Sequence, residues 1–203
     1  MGSRSFYVKV KCVISRIIGV VGLLILWPLF IVIAIAIKLD SRGPVFFTQE
    51  RLGLHGKTFL MYKFRSMKVN AEHTGSGVYS DDRDPRVTRV GRILRKTSLD
   101  EIPQLINLAN GTMHLISCRP PLVYHPWPLD QYTEEQRHMF DLRPGLTGWA
   151  QIHGRKDVEW HKRIRLNVWY TRHVSLPLDI YIFIMTIFKV LTNEDNENKE
   201  KTV

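Results

Sequence analysis

Cysteine is scarce in this sequence, and the placement of the two cysteines that occur excludes two kinds of site. Cys12 and Cys118 lie far apart in the chain, so they form neither a redox pair nor a metal site of the usual spacing. Internal repeats and low-complexity tracts are also absent from the sequence. We interpret both cysteines as reduced thiols in a protein that faces the cytosol.

Acidic residues are outnumbered by basic ones, 19 against 29, which gives a net charge of +10. Such an excess suits anionic partners, whether phosphates, nucleotides, nucleic acid or an anionic membrane surface. Zinc-finger spacing, an RNP signature and a contiguous basic helix are missing, so we expect no nucleic-acid partner. The 203 residues suffice for one domain, or for one domain with a membrane element.

Charge is missing altogether from residues 17–37, and these 21 residues are enough to cross a bilayer, which takes about 20. The basic residues that flank this run are Lys9, Lys11, Arg16, Lys38, Arg42 and Arg51. The positive-inside rule places both flanks in the cytoplasm, which a single span cannot satisfy. Pro28 lies near the middle of the run and favours a kink. The residues alone leave a re-entrant helix and a kinked spanning helix both open.

Residues 44–67 are typical of a β-hairpin, with two β-rich runs around a glycine-bearing turn at 51–56. Lys63 and Arg65 follow the second run, and they are either surface charges or phosphate ligands. Residues 70–86 are rich in Gly, Ser, Asp and Asn, which predicts a mobile loop. Loops of that length without structure of their own are often functional.

Two adjacent carboxylates, Asp100 and Glu101, stand at the predicted start of a helix. Ser98 and Glu101 have the spacing of a capping box, Pro103 suits a first turn, and Asn110 with the following glycine ends the apolar periodicity. The pair therefore has a structural interpretation, because acidic residues in a first turn complement the helix dipole.

The same electrostatics also permit chemistry at the acidic pair. A helix N-terminus with Arg95 and Lys96 nearby would keep Asp100 ionised, and an ionised carboxylate can attack phosphorus. Neighbouring helical side chains point about 100° apart, so the two carboxylates would have different roles.

Arginine, proline and glycine are concentrated in two further stretches. Arg119 precedes Pro120-Pro121, where it is either a ligand on rigid backbone or part of a plain connector. Residues 141–155 combine glycine turns, whose N–H groups can cradle phosphate, with arginines that bind phosphate bidentately. The candidate ligands in this second stretch are Arg143, Gln151 and Arg155.

Residues 160–170 and 176–191 predict two amphipathic helices near the end of the chain. Their aromatic residues, with basic residues nearby, suit helices that lie flat at a membrane interface. Ordinary packing of the same aromatics in a core is an equally good interpretation.

Taken together, these motifs resemble the bacterial sugar transferase family, the small monotopic phosphoglycosyl transferases. The matching stretches are FFTQERLG at 46–53, YKFRSM at 62–67, RKTSLDEIPQ at 95–104, NLANGTM at 107–113, RP at 119–120, RPGLTGWAQIHGR at 143–155 and LDI at 178–180. Most are weak alone, but their order over residues 10–192 is highly specific.

This resemblance implies an enzyme that transfers a phosphosugar from a UDP-sugar to a polyprenyl phosphate and releases UMP, with Mg²⁺ as cofactor. It implies that Asp100 attacks the sugar-bearing phosphate to give a covalent intermediate. Glu101 would help to bind the metal or to manage protons, so both carboxylates are metal-ligand candidates. The substrate-binding candidates are Lys63, Arg65, Arg95, Arg119, Arg143, Gln151, Arg155 and Asp179.

The expected fold is α+β and mainly helical, with a re-entrant membrane helix that breaks at Pro28, a small β-hairpin and interfacial helices around a catalytic domain. We expect three parts: a membrane element at 1–40, a catalytic domain at 41–192 and a polar tail at 193–203. The expected location is the cytoplasmic face of a bacterial inner membrane. The expected partners are the two substrates, membrane lipid and downstream glycosyltransferases of a glycoconjugate pathway, of which this reaction would be the first membrane step.

A non-catalytic family member, which binds lipid or nucleotide as a scaffold in glycan assembly, is the alternative. It is favoured by departures from the family pattern at Trp27, Thr112, His114 and Ser117-Cys118. Retention of Asp100, Glu101 and Arg119 argues against it.

Overall fold

The computed structural model describes residues 2–71, 84–154 and 159–192. Within these ranges the protein is mainly helical with two small sheets, which confirms the expected α+β class. The helices are α1 (Gly2–Asp40), α2 (Arg89–Lys96), α3 (Gln104–Ala109), α4 (Glu134–Arg137), α5 (Trp149–Ile152), α6 (Trp160–His173) and α7 (Leu176–Thr192). The strands are β1 (Phe46–Leu52), β2 (Thr58–Phe64), β3 (His114–Ile116) and β4 (Gly145–Thr147). Most of the predicted loop at 70–86 and the whole tail at 193–203 lie outside the described residues.

The predicted hairpin is confirmed: β1 and β2 pair antiparallel from Phe46 opposite Phe64 to Leu52 opposite Thr58. β1 extends two residues into the turn expected at 51–56, and β2 begins just after that turn at Thr58. The turn itself closes when the N–H of Gly53 donates to the carbonyl of Lys57 at 2.8 Å. The last strand residue, Phe64, is buried against the C-terminal part of α1.

A second sheet, which the sequence did not predict, pairs β3 with β4 in parallel. Each strand has three residues, too few to give a periodic pattern in the sequence. Gly145 faces the backbone of Ser117, and a Cβ on that glycine would lie 2.2 Å from the Ser117 nitrogen. Only glycine therefore allows the two strands to approach this closely.

The predicted capping box before α3 is wrong. Ser98 has a left-handed backbone conformation (φ 57°) and its side chain makes no capping hydrogen bond. The acidic pair instead lies in a single 3₁₀ turn, Leu99–Glu101, and α3 begins only after Pro103. The Glu101 carboxylate is drawn away from the backbone by two cations, described below, which offer stronger charge-assisted hydrogen bonds than an N–H group. The predicted end at Asn110 is confirmed.

The first half of α1 packs against the domain near α3 and β3. Ser15 accepts a hydrogen bond from the Leu115 N–H at 3.0 Å, and Arg16 donates to the Asn110 carbonyl at 3.2 Å. Gly19 lies directly against α3, because a Cβ there would be 2.4 Å from the backbone nitrogen of Ala109. The close approach of two helices at a glycine fixes α1 in one register on the domain.

The second half of α1 returns to the same domain. Ile33 and Ile37 are buried with Phe64 and Leu94, so the helix packs on both the hairpin and α2. The last residue of α1, Asp40, accepts a hydrogen bond from the N–H of Val90 in the first turn of α2 at 2.9 Å. α1 is assigned as a single helix through Pro28, and the re-entrant bend stays a prediction.

Apolar side chains project outward from the middle of α1, where Leu24 is 69% exposed and Trp27 is 59% exposed. In the described part of the chain, this is the one helix that is long and apolar enough to cross a membrane by length and composition. The predicted helices near the end of the chain are confirmed as α6 and α7. α7 also carries exposed apolar residues, including Phe183, Ile184 and Phe188.

The glycine contact between α1 and α3 gives a direct test of this docking. Gly19→Ala places a methyl group against backbone that cannot move aside, so we expect a loss of about 1–3 kcal/mol in the free energy of unfolding. Gly22→Ala is the matched control, because its Cβ would meet only the Leu105 side chain at 3.0 Å. Thermal unfolding of both variants in detergent measures the difference, and equal losses would contradict the assigned register.

Candidate active site

Glu101 is the point where three segments of the chain meet. Its Oε1 accepts a hydrogen bond from the Lys63 ammonium of β2 at 2.9 Å. Its Oε2 accepts from Nη1 of Arg119 at 3.1 Å, and the other Arg119 nitrogen donates to Oε1. Burial alone would raise the pKa of Glu101, but the charges of Arg119 and Lys63 hold that pKa well below its ordinary value. Glu101 is therefore an ionised carboxylate with both oxygens engaged.

Asp100 has a different environment, although it is the adjacent residue. Its side chain is buried, and among the described residues its carboxylate takes part in no hydrogen bond or ion pair. Burial and the neighbouring Glu101 charge raise its pKa, while Lys63, Arg95 and Arg119 act in the opposite direction. The two carboxylates therefore differ in environment, because Glu101 is paired and Asp100 is not paired within the described residues, and their division of roles stays a prediction.

The turn that carries the two carboxylates is held on the hairpin by α3. Asn107 is fully buried, accepts a hydrogen bond from the Tyr62 N–H at 3.0 Å and donates to the Leu60 carbonyl at 2.7 Å. One side chain thereby pairs with an N–H and a carbonyl of β2. The same contact fixes the distance between Lys63 and the Leu99–Glu101 turn.

Arg119 is held in place from the other side by backbone hydrogen bonds. The Gly145 N–H donates to the Cys118 carbonyl at 2.8 Å, and the Leu52 N–H donates to the Pro121 carbonyl at 3.0 Å. Arg51 adds a side-chain bond to the Pro120 carbonyl at 3.1 Å. The connector after β3 is therefore tied to both sheets, and it presents Arg119 to Glu101 from a rigid backbone.

The donor set fits a magnesium ion. The described residues contain no group of three histidine, cysteine or acidic side chains that could hold a metal by themselves. Mg²⁺ does not require such a group, since it is usually bound by one or two carboxylates together with substrate phosphates and water. The unpaired oxygens of Asp100 beside the Glu101 carboxylate provide that kind of incomplete set.

Arg65, a predicted substrate ligand, makes its side-chain hydrogen bonds at the end of α1. It is buried, and its guanidinium donates to the backbone carbonyls of Ser41 and Arg42 at 2.7 and 2.9 Å. These carbonyls follow the last turn of α1, where a cation satisfies free acceptors and complements the helix dipole. The contacts of Arg65 thus hold the end of α1 on the hairpin rather than face the acidic pair.

Asp179 lies in a buried cluster at the N-terminal end of α1. Its carboxylate accepts hydrogen bonds from Lys11, Tyr7 and Tyr170, each at 2.6 Å. Lys11 also donates to the Tyr170 hydroxyl. Burial, followed by the Asp179 charge, raises the pKa of Tyr170 far above its ordinary value, so this phenol stays a hydrogen-bond donor. In the described contacts, Asp179 joins α1 to α6 and α7 and does not touch the acidic pair.

The other predicted ligands are scattered over different parts of the chain. Arg95 lies in the last turn of α2, and its charge acts on Asp100. Arg143 instead donates to the sulfur of Cys12 in α1 at 3.4 Å. Gln151 lies in α5, with its buried amide unpaired within the described ranges. Arg155 lies outside the described residues.

Sequence reasoning missed the role of Gln104 in this neighbourhood. The residue is 1% exposed, and neither atom of its amide has a hydrogen-bond partner among the described residues. A buried polar group without a partner is uncommon in native structures, so the Gln104 amide is a further candidate for contact with water or ligand. The sequence feature that could have revealed it is the position of Gln104, a polar residue that lies on the buried side of α3, four residues after Asp100.

Comparison with known proteins agrees with these motifs. The family model described as bacterial sugar transferase matches residues 6–193. The chain is 38% identical over 192 residues to the UDP-glucose:undecaprenyl-phosphate glucose-1-phosphate transferase of Xanthomonas campestris pv. campestris, covering 92% of this chain and 40% of that protein. It is similarly 38% identical to the UDP-N-acetylgalactosamine-undecaprenyl-phosphate N-acetylgalactosaminephosphotransferase of Aeromonas hydrophila, covering 92% of this chain and 44% of that protein.

A shorter relative is also similar. The chain is 43% identical over 166 residues to the uncharacterized sugar transferase EpsL of Bacillus subtilis (strain 168), covering 82% of this chain and 78% of that protein. Against the two transferases above, in contrast, the chain spans less than half of their length.

The Asp179 cluster yields a stability prediction. Asp179→Asn leaves the Lys11 charge buried without a counter-ion, so we expect a loss of about 3–5 kcal/mol in the free energy of unfolding. Glu135→Gln, which removes the exposed ion pair with Arg172, should cost less than about 1 kcal/mol. Denaturant unfolding in detergent compares the two. A small effect of Asp179→Asn would mean that the cluster does not hold α1.

Proposed function

This chain belongs to the bacterial sugar transferase family, and from that premise we propose that it transfers a phosphosugar from a UDP-sugar to a polyprenyl phosphate and releases UMP. The observation that carries the proposal is the unequal pairing of Asp100 and Glu101. The Glu101 carboxylate is neutralised by Lys63 and Arg119. The Asp100 carboxylate has no such partner within the described residues and can bind or attack a substrate. Such a site is equipped to attack a phosphate and to stabilise the negative charge around it.

In the first step, an oxygen of Asp100 attacks the phosphorus that bears the sugar. The bond from this phosphorus to the oxygen that bridges the two phosphates breaks, and its electron pair leaves with UMP. The product on the protein is an aspartyl phosphosugar. Lys63, Arg95 and Arg119 favour the ionised form of Asp100, and burial makes that carboxylate more basic than one in water.

In the second step, a phosphate oxygen of the polyprenyl phosphate attacks the same phosphorus and expels the Asp100 carboxylate. The product is a polyprenyl diphosphate sugar, and the enzyme returns to its starting form. Arg119 and Lys63 are already positioned on Glu101, so their charges are in place before either step begins. Mg²⁺, held by Asp100 and Glu101, would supply further positive charge against the phosphate oxygens.

The docking of α1 supports an enzyme that enters one leaflet of the membrane. Gly22 contacts Leu105 of α3, and Leu29 packs with the cluster around Phe64, so only six residues separate the two docked parts. Six helical residues span roughly 9 Å, whereas the hydrocarbon core is about 30 Å thick. A helix docked in this way cannot cross the bilayer between its two contacts with one domain.

The exposed apolar residues of α1 and α7 are then the surfaces that meet lipid. The basic residues on both sides of the apolar run would lie with the domain on the cytoplasmic side of the inner membrane. This depth suits the acceptor, because a polyprenyl phosphate keeps its chain in the bilayer and its phosphate at the surface. The product would be handed to glycosyltransferases that extend the sugar.

The covalent step can be tested by intact-protein mass spectrometry with a UMP-release assay. We expect wild-type protein with Mg²⁺ and a suitable UDP-sugar to gain the mass of a phosphosugar, and Asp100→Asn to gain none and to lose UMP release by at least about a thousandfold. Asp141→Asn, which alters an exposed carboxylate, is the matched control and should behave as wild type.

Two results would change this proposal. UMP release by Asp100→Asn at the wild-type rate would exclude Asp100 as the nucleophile. A folded, membrane-bound wild-type protein that releases no UMP from any common UDP-sugar would favour the non-catalytic alternative.

The one-leaflet arrangement predicts that both ends of α1 lie on the same side of the membrane. In a background without Cys12 and Cys118, Ser5→Cys and Lys57→Cys place single thiols at exposed positions at the start of α1 and in the hairpin turn. We expect a membrane-impermeant maleimide to label both only after the cells are opened. Labelling of Ser5→Cys in intact cells, with Lys57→Cys protected, would instead establish a spanning helix.

A further inference from the structure

Gln104, the first residue of α3, follows the acidic pair on a continuous helical path. Ile102 and Pro103 have right-handed helical backbone angles (φ −54° and −61°), so the 3₁₀ turn of the acidic pair leads directly into α3. Residues three and four positions apart on such a path are neighbours, with about 5–6 Å between their Cβ atoms. Helical side chains also tilt toward the preceding turn. By these rules the side chain of Gln104 extends toward the turn that carries Asp100 and Glu101.

Asn107, one turn further along α3, shows how a buried amide of this helix is normally satisfied. Its Nδ2 donates to the Leu60 carbonyl at 2.7 Å and to the Thr112 hydroxyl at 3.1 Å. Its Oδ1 accepts from the Tyr62 N–H at 3.0 Å. Gln104 is equally buried, but its Nε2 and Oε1 have no partner among the described residues. An amide left in this state costs stability, so its presence has to be explained by something other than packing.

The amide of Gln104 needs a ligand that both accepts and donates hydrogen bonds. Its Nε2 carries two N–H donors, and its Oε1 is an acceptor. A metal ion would engage only Oε1, and a fully ionised phosphate would engage only Nε2. The phosphosugar of the proposed reaction offers both, since its phosphate oxygens accept and its sugar hydroxyls donate. In that reaction the phosphosugar is carried by Asp100, in the turn toward which Gln104 extends.

We propose that Gln104 is a catalytic ligand of the phosphosugar, with Nε2 donating to a non-bridging oxygen of the phosphate that Asp100 attacks and Oε1 accepting from a hydroxyl of the attached sugar. The inference rests on the proposed function and deepens it. A phosphoryl group carries its negative charge on the non-bridging oxygens in the transition state. A donor that is already in place stabilises this charge. Because both steps attack the same phosphorus, Gln104 acts in both.

The first measurement separates this role from a structural one. Gln104→Met replaces the amide with an unbranched apolar chain of similar size, which removes the cost of an unsatisfied polar group. We expect its melting temperature in detergent, without substrate, to equal or exceed that of wild type. Asn107→Leu, which removes satisfied hydrogen bonds to β2, should melt several degrees lower. A Gln104→Met protein that melts as low as Asn107→Leu would make the amide a structural group.

The second measurement follows the two chemical steps in the full chain. The first step is timed by UMP release in a single turnover with UDP-sugar and Mg²⁺, and the second by loss of the phosphosugar adduct after polyprenyl phosphate is added. We expect Gln104→Met to slow both steps by about a hundredfold, as for the loss of one positioned donor, and to leave the affinity for UMP unchanged. Gln131→Met, at an exposed glutamine, is the matched control and should keep the wild-type rates.

Gln104→Glu distinguishes a phosphate donor from a metal ligand. Glutamate keeps an acceptor oxygen, loses the N–H donors and adds a negative charge beside the phosphate. We therefore expect both steps to be slower in Gln104→Glu than in Gln104→Met. A ligand of Mg²⁺ would respond in the opposite way, because that ion prefers carboxylate oxygens.

Several results would overturn the inference. Wild-type rates in Gln104→Met would mean that the amide binds only water, and the proposed function would stand. Steps in Gln104→Glu at least as fast as in Gln104→Met would assign the amide to the metal. A weaker affinity of Gln104→Met for UMP would place the amide on the nucleotide instead of the phosphosugar. Wild-type protein that forms no adduct and releases no UMP would overturn the proposed function as well.

Discussion

The ion pairs of Glu101 are the interaction on which the candidate active site depends. A carboxylate that leaves water loses hydration, and two cations with hydrogen bonds to both oxygens offset that loss. Lys63 comes from the hairpin and Arg119 from the connector after β3, so the contact unites segments that are distant in the chain. The charges of these cations also act on Asp100, where they lower the pKa and oppose the effect of burial, without a hydrogen bond to its carboxylate.

The position of α1 likewise depends on contacts with distant parts of the chain. One face of α1 carries exposed apolar side chains, which are unfavourable in water. The opposite face is fixed on the domain at a glycine, an ion pair and an apolar cluster. Burying the charges of Lys11 and Asp179 removes them from water, and this desolvation cancels most of the attraction between them. The ion pair therefore adds little net stability to the fold. It does specify one docked arrangement, because any other would leave a buried charge unpaired.

Much of this architecture could be predicted from the sequence, because it depends on local patterns. The hairpin, α6 and α7 have clear periodicity, and the apolar run of α1 is unmistakable in composition. The failures have a common cause. Ser98 and Glu101 have the spacing of a capping box, but cations from distant segments compete for Glu101. β3 and β4 pair through three residues each and carry no pattern that a sequence can display.

The candidate ligands also fall into two groups that the sequence alone does not separate. Arg119 and Lys63 meet the acidic pair, whereas Arg65 and Asp179 make contacts that hold α1, and spacing cannot distinguish a buried structural charge from a ligand.

The departures from the family pattern beside Arg119 leave the backbone path of this connector intact. At these two positions a glycine would make the backbone more flexible and a proline would make it more rigid. Ser117 and Cys118 are instead held by backbone hydrogen bonds to β4. The Ser117 N–H donates to the Thr147 carbonyl at 2.8 Å, and the glycine that the close approach requires is supplied by the partner strand at Gly145. The connector therefore keeps its path with different residues. Because that path aims Arg119 at Glu101, these substitutions argue weakly for a non-catalytic protein, and the preserved ion pair argues more strongly for an active one.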